Sequence, residues 1–270
     1  MKFIVQKIFD EGTAEPFFAR MMVQIMKIRD FIFPSEKERS KFDKYYEPIL
    51  NNLIECRIAK INCEKLIEEH NRKIETGEIV FFQEHTIGVK ETIDVELNKN
   101  FKDFFIKGKI ALQSLVKLSK YLGYPISFLL KKDEKFEKES WNFINKYKGQ
   151  KYKDFVKMLK DNRVSWYTNF NNIRNTIEHQ GFNLPKIIYN TDKNGKVIAR
   201  FPRINSRSLE EVINLFFGSI FEFVEDIIIF LFTFRIKSPV EIVCIPQDKR
   251  NNSCPIKYKL TIDASKYSLL

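Results

Sequence analysis

Apolar residues recur at helical spacing along most of the chain. Phe18, Met21, Met22, Ile25, Ile28 and Ile32 keep to one face and Pro34 stops the run, which predicts a helix over residues 14–33. Ser35 and Glu38 form a capping-box pattern opening a charged helix towards Tyr46. Pro48 then starts or kinks the next helix, whose apolar positions Ile49, Leu53, Cys56, Ala59, Ile61, Cys63, Leu66 and Ile67 run towards Thr76, with Gly77 as terminator. Residues 79–82 and 86–97 alternate at strand period and suggest a small hairpin. Asn98 is placed to cap a helix over 99–122 that Gly123 and Pro125 end, and further helices are expected over 127–148, 152–159 and 162–179. The last has Val164, Tyr167, Phe170, Ile173 and Ile177 on one face and Gly181 behind it. Ile187-Ile188-Tyr189 and Val197-Ile198-Ala199 flank a turn with Asn194-Gly195, the clearest hairpin signature present. A long apolar helix over 206–235 and two strands, 240–245 and 256–262, complete the pattern.

No internal repeat or flexible linker divides the chain. The expected fold is mainly α: an up-and-down helical bundle with short β-hairpin additions at about 187–200 and C-terminal strands. Residues 1–34 read as an N-terminal helical extension and 35–270 as a helical domain with β decorations, together one compact unit.

Residues 212–234 are long enough to cross a bilayer, but Glu222, Glu225 and Asp226 fall near their middle. Each would cost roughly 2.5 kcal/mol or more there. Glu210, Asn214, Gly218, Glu222 and Asp226 recur every four residues as one polar stripe, the pattern of a buried bundle helix. The opening residues carry too short an apolar run for an export signal, so no membrane partner and a cytoplasmic location are expected. Cys56 and Cys63 share a helix face as small core residues, and Cys244 and Cys254 lack ligand spacing. With three dispersed histidines, no metal and no cofactor are expected. His70 follows Glu68-Glu69 and reads as solvated, and His85 lies in a turn.

Charge changes the picture more than composition does. The 270 residues carry a net charge of +11, and between Lys146 and Arg207 stand 14 Lys/Arg against 4 Asp/Glu, a net of +10. A nearly neutral body with one basic segment points to an anionic partner. Within that segment lies Arg174-Asn175-Thr176-Ile177-Glu178-His179. Histidine titrates near neutrality and can move a proton at a 2′-hydroxyl or a leaving oxygen, and arginine offers a permanent forked donor set to phosphate. Five residues of helix turn through about 140°, so one copy does not aim both groups at one phosphate. Either the helix end is distorted near Gly181 or two copies meet across a two-fold axis.

Arg174-Asn175, three intervening residues, then His179 resembles the hallmark of the HEPN superfamily, the higher-eukaryote and prokaryote nucleotide-binding domains. The resemblance implies a helical bundle that forms a homodimer, with a metal-independent endoribonuclease site at the dimer interface. It further implies a toxin or phage-defence role, RNA as substrate, and an antitoxin or regulatory protein as partner. In that reading Arg174 contacts phosphate, Asn175 orients the phosphate or the histidine, and His179 is the acid/base. One branch carries a modifiable tyrosine two residues after the histidine; Gly181 stands there and offers no hydroxyl.

Other residues join the proposed footprint. Lys186, Lys193, Lys196, Arg200, Arg203 and Arg207 could track an RNA backbone, and Trp166 could stack on a base, whereas Tyr167 suits the core. The alternative reading is a non-catalytic helical module that binds RNA, a nucleotide or an acidic protein. In the plainest reading, Arg174 and Glu178 form a helix-surface ion pair and His179 only meets the last carbonyls of its helix.

Overall fold

A computed structural model describes residues 12–263. The chain opens with α1 (Pro16–Phe18), a π-helical turn over Ala19–Gln24 and α2 (Ile25–Ile32), in line with the single helical stretch expected there. Pro16 occupies the first turn, where its missing N–H costs nothing, and the Glu15 carboxylate accepts from the Phe18 amide at 3.2 Å. Pro48 does not start a new helix, one of the two outcomes expected of it: α3 (Glu36–Glu75) is one helix of 40 residues with the proline inside it. A proline there costs about 3 kcal/mol in lost hydrogen bonding and crowding. Burial of Tyr46, Ile49, Leu50 and Leu53 around it offsets that cost, and the Asn52 side chain donates to the Pro48 carbonyl at 2.6 Å. The Ser35 and Glu38 capping box forms as its pattern predicts.

β1 (Val80–Gln83) and β2 (Thr86–Val89) pair antiparallel, but the strand ends sooner than the alternation suggested. α4 (Asp94–Tyr121) already begins at Asp94, so Asn98 lies within the helix rather than capping it. Its amide instead donates to the Asn183 side chain at 3.1 Å and accepts from the Leu184 amide at 3.0 Å. The helix expected over 127–148 is a 3-10 turn at Ser127–Leu130 followed by α5 (Asp133–Tyr147). Next come α6 (Gln150–Asn162), a π-helical turn over Arg163–Tyr167 and α7 (Thr168–His179). β3 (Ile188–Thr191) and β4 (Val197–Arg200) form the expected hairpin. β5 (Arg203–Ile204) and β6 (Arg207–Ser208) form a hairpin that the sequence did not announce. α8 (Leu209–Thr233) follows, capped by Ser208 and Glu211, and β7 (Val240–Cys244) pairs with β8 (Tyr258–Ile262).

The chain divides into two compact units. One gathers the chain up to Glu47, Ser114–Phe155 and the chain from Phe221 onward; the other holds Pro48–Gln113 and Val156–Ile220.

In the first unit the core is aromatic. Phe42 packs on Phe33, Tyr46 and Phe232, and Phe155 on Phe143, Phe230 and Phe234. Its centre is nevertheless ionic. The fully buried Glu225 carboxylate accepts from Arg20 Nε at 3.0 Å and from Gln24 Nε2 at 2.8 Å. Gln24 Oε1 in turn accepts the Lys257 and Tyr258 amides at 2.7 and 2.6 Å. Asp226 accepts from the Lys257 ammonium and the Tyr258 hydroxyl, at 2.7 and 2.8 Å. Among the described residues no helix is long and apolar enough to cross a membrane.

In the second unit Phe101, Phe104, Phe105 and Phe170 are fully buried, with Phe216 stacked edge-on against Phe105 and Phe170. Gly108 lets the elements close up, because a Cβ there would come within 3.0 Å of both Ile220 and Phe170. Cys56 and Cys63 are buried, as their shared face suggested. Ile74, Ile79 and Val197 seal a smaller apolar cluster beneath the β1–β2 and β3–β4 hairpins. His70 corrects its expected exposure: it is buried, with Nε2 2.9 Å from the Tyr189 hydroxyl and Nδ1 without a partner among the described residues. Burial holds its pKa below the usual 6.5, while Glu91 and Asp94 oppose the shift.

Candidate active site

The Arg–His pair stands on the last turns of α7, in the second unit. α7 remains α-helical to His179 and ends at Gln180, with Gly181 turning at a φ of 61°. The helix end therefore gives no distortion that would bring Arg174 and His179 onto one face. Arg174 Nη1 donates to Asn175 Oδ1 at 3.1 Å, and Nη2 lies 2.5 Å from Glu178 Oε1. The i,i+4 ion pair of the plain reading is thus formed. The His179 side chain is 68% exposed, with Nε2 3.9 Å from the other Glu178 oxygen. Glu178 stands between the two groups that the motif singles out.

Behind Arg174 the surroundings are less ordinary. Its side chain is only 16% exposed, and Nε is buried with no acceptor among the described residues. Tyr167, Asn171, Arg174 and Glu178 succeed one another at intervals of four, three and four, which places them on one helical stripe. Lys109 of α4 meets this stripe. Its ammonium, 6% exposed as a residue, donates to the Tyr167 hydroxyl and to Asn171 Oδ1, each at 2.8 Å. Both acceptors are neutral, so this buried charge has no carboxylate in direct contact. Burial, and then repulsion from Arg174, pushes the Lys109 pKa down to about 8, with Glu178 opposing. Arg163 also approaches Tyr167: its guanidinium carbon is 5.8 Å from the ring centroid, and Lys109 Nζ is 5.1 Å from it. Burial pushes the Tyr167 hydroxyl up to about 12, so it stays protonated.

No family model, no curated protein and no solved structure matches the chain. What the site can do rests on its own chemistry. Lys109, Arg163 and Arg174 act on Tyr167, Glu178 pairs with Arg174, and an exposed imidazole stands beside Glu178. Such a place attracts an anion.

Lys186, Lys193, Lys196, Arg200, Arg203 and Arg207 are all exposed, on the loop after α7 and on the two following hairpins. Arg203 is engaged locally, with Nε and Nη2 donating to the Ser206 carbonyl at 2.9 and 2.6 Å. Trp166 is buried, its indole N–H donates to Asn162 Oδ1 at 2.8 Å, and the residue lines a cleft. Tyr167 is buried as expected. Among the described residues no group of three or more His, Cys, Asp or Glu side chains is placed to hold a metal ion.

Lys109 was missed in the sequence, although a signal existed. It falls four residues after Phe105 and three before Leu112, on the buried stripe of α4 where an apolar side chain is the rule. A charged residue in that register is costly and so points to function. Lowering the pKa from 10.5 to about 8 corresponds to about 3 kcal/mol of penalty on the charged form. Lys109→Met is therefore expected to raise stability at pH 7 by about 1 kcal/mol, after allowance for the two lost hydrogen bonds. Between pH 8 and 10.5 the unfolded chain holds a proton that the folded chain has released, so parental stability rises with pH there. Urea titrations at pH 7 and 10 check both statements; the variant should lack this contribution.

Proposed function

We propose that this chain is an HEPN-like endoribonuclease that cleaves RNA without a metal ion, with a second copy of itself completing the site. The observation that carries the reading is the end of α7. Arg174 is backed by the buried Lys109 ammonium and keeps an Nε without a partner among the described residues, beside an exposed His179.

The reaction would run through the substrate's own nucleophile. One His179 takes the proton of a 2′-hydroxyl, and that oxygen bonds to the adjacent phosphorus. The bond from phosphorus to the 5′ oxygen breaks, and the leaving oxygen takes a proton from the His179 of the second copy. Arg174 holds the non-bridging oxygens as charge builds on them, and Asn175 keeps the guanidinium aimed. The products are a 2′,3′-cyclic phosphate and a 5′-hydroxyl. Exposed Lys186, Lys193, Lys196, Arg200 and Arg207 would guide the backbone.

Purified protein in EDTA should cut single-stranded RNA to ends bearing cyclic phosphate. Intact RNA, or products with a 5′-phosphate, would overturn the proposal. A second reading is favoured by one specific contact, the 2.5 Å pair of Arg174 with Glu178, which suits a module that binds without cutting. Glu178→Gln separates the two. It removes the competing carboxylate, so RNA affinity at low salt should rise several-fold under either reading. Only the nuclease reading predicts that the cleavage rate at saturating RNA survives the change. Binding by filter retention and single-turnover cleavage measure the two quantities.

A further inference from the structure

A cleft of about 310 Å³ lies in the second unit, bordered by α7, α8 and the turn between β5 and β6. Its floor is Trp166 and Phe216, each 5% exposed. Its rim carries Ser165, Asn169, Asn205 and Arg207, all exposed. No acidic side chain lines it. The side chains of Asn169, Asn205 and Arg207 make no hydrogen bond among the described residues, so their donors and acceptors are uncommitted. Ile173, one residue before Arg174, belongs to the same wall.

The rim is also held in place. Asn205 and Ser206 turn the β5–β6 hairpin in the left-handed region, at φ of 50° and 68°. This two-residue turn is the kind that matches strand twist, and the Arg203 guanidinium grips the Ser206 carbonyl across it. Asn205 is thereby presented at the mouth of the cleft by a braced turn rather than by a loose loop.

The size suits one planar ring system, at the small end of the range for ligand pockets. Aromatic walls favour the flat face of a ring. Each free amide offers both a donor and an acceptor, which is what the edge of a nucleobase requires. Arg207 supplies a forked cation for phosphate oxygens. A second cleft, by contrast, carries Glu68, Glu69, Glu75 and Glu210 and would repel a phosphate.

We propose that the Trp166–Phe216 cleft takes one unstacked nucleobase of a single-stranded RNA, with the adjoining phosphate on Arg207. The choice of RNA over a free nucleotide rests on the ribonuclease reading; the base-and-phosphate chemistry does not. The cleft then fixes which nucleotide of the strand sits beside the α7 site.

The chain has two tryptophans, so Trp141→Phe leaves Trp166 as the sole indole reporter. In full-length Trp141→Phe/His179→Ala protein, a 12-nucleotide RNA should quench Trp166 emission, and adenosine 5′-monophosphate should do so only weakly. Adding Asn169→Ala or Arg207→Ala should weaken the quenching isotherm about tenfold, the loss expected for one base or phosphate contact. Anisotropy of labelled RNA runs in parallel. RNA that binds without changing Trp166 emission, and with affinity indifferent to both substitutions, would overturn the cleft while leaving the nuclease reading intact. Quenching by the free nucleotide but not by RNA would overturn the assignment to RNA. Quenching by RNA together with an uncleaved strand in the Trp141→Phe parent would support the cleft and remove the nuclease.

Discussion

His179→Ala is expected to lose RNA cleavage by about 10²- to 10⁴-fold, the usual contribution of a positioned acid or base. Stability should stay within about 0.5 kcal/mol of the parent, because the side chain is 68% exposed and its charged neighbour Glu178 is 3.9 Å away. That pairing of a large kinetic effect with a small thermodynamic one distinguishes a catalytic histidine from a helix-capping one. Arg174→Ala should lose cleavage to a similar extent, and Arg174→Lys should rescue little, since an ammonium lacks the planar fork. The double variant should be about as inactive as the worse single one, because groups that act in one step are not additive. Rates from single-turnover assays and midpoints from urea unfolding supply the comparison. A His179→Ala protein that cleaves at the parental rate would end the nuclease reading.

Arg20→Met carries the largest expected cost in stability. It leaves the Glu225 carboxylate, which is fully buried, with the Gln24 amide as its near donor and the Lys257 ammonium 3.9 Å away. Stranding one partner of a buried pair costs about 3–5 kcal/mol, well above the cost of an average substitution. The Arg20 guanidinium also covers the Phe221 ring at 4.5 Å, and Met keeps part of that apolar contact. The test is therefore a cycle: Arg20→Met, Glu225→Leu and the double replacement, each followed by urea unfolding. The double variant should regain most of what either single loses, because no charge is then left uncompensated. A cycle in which the single losses simply add would mean that the two side chains do not stabilise one another.

Helix existence was legible because apolar spacing at this length has few other readings, and the Asn194-Gly195 hairpin was legible from its turn alone. Boundaries were read less well where a polar side chain chose a distant partner. Asn98 is a residue type that caps helices, but its amide is taken up by Asn183 and Leu184. Pro48 reads as a start or a kink because local rules price the lost hydrogen bond but not the buried residues on both sides of it. The β5–β6 hairpin escaped notice because its strands are two residues long and its turn contains no glycine.

At the site, Arg174 and His179 were found by residue type and spacing, and the Glu178 pair by the i,i+4 rule. Two buried groups were not found. His70 reads as solvated from its charged neighbours Glu68 and Glu69, whereas Ile67 and Ile74, three before and four after it, mark its face as buried. Lys109 was passed over for the same reason: composition near a residue is a weaker guide than the face it occupies.

Gln24 also sets an order of events. Its side chain joins a helix near the start of the chain to amides of residues 257 and 258, more than 230 positions later. The unit that contains Gln24 therefore cannot complete its polar centre until residues 257 and 258 have left the ribosome. All residues of the unit that bears Arg174 and His179 have been made by Ile220. Closing contacts of such long separation is slow, so the half with the ionic core is expected to mature last. During that interval a nascent chain would expose the half-built Glu225 pocket, which makes this half the one most open to chaperones and proteases.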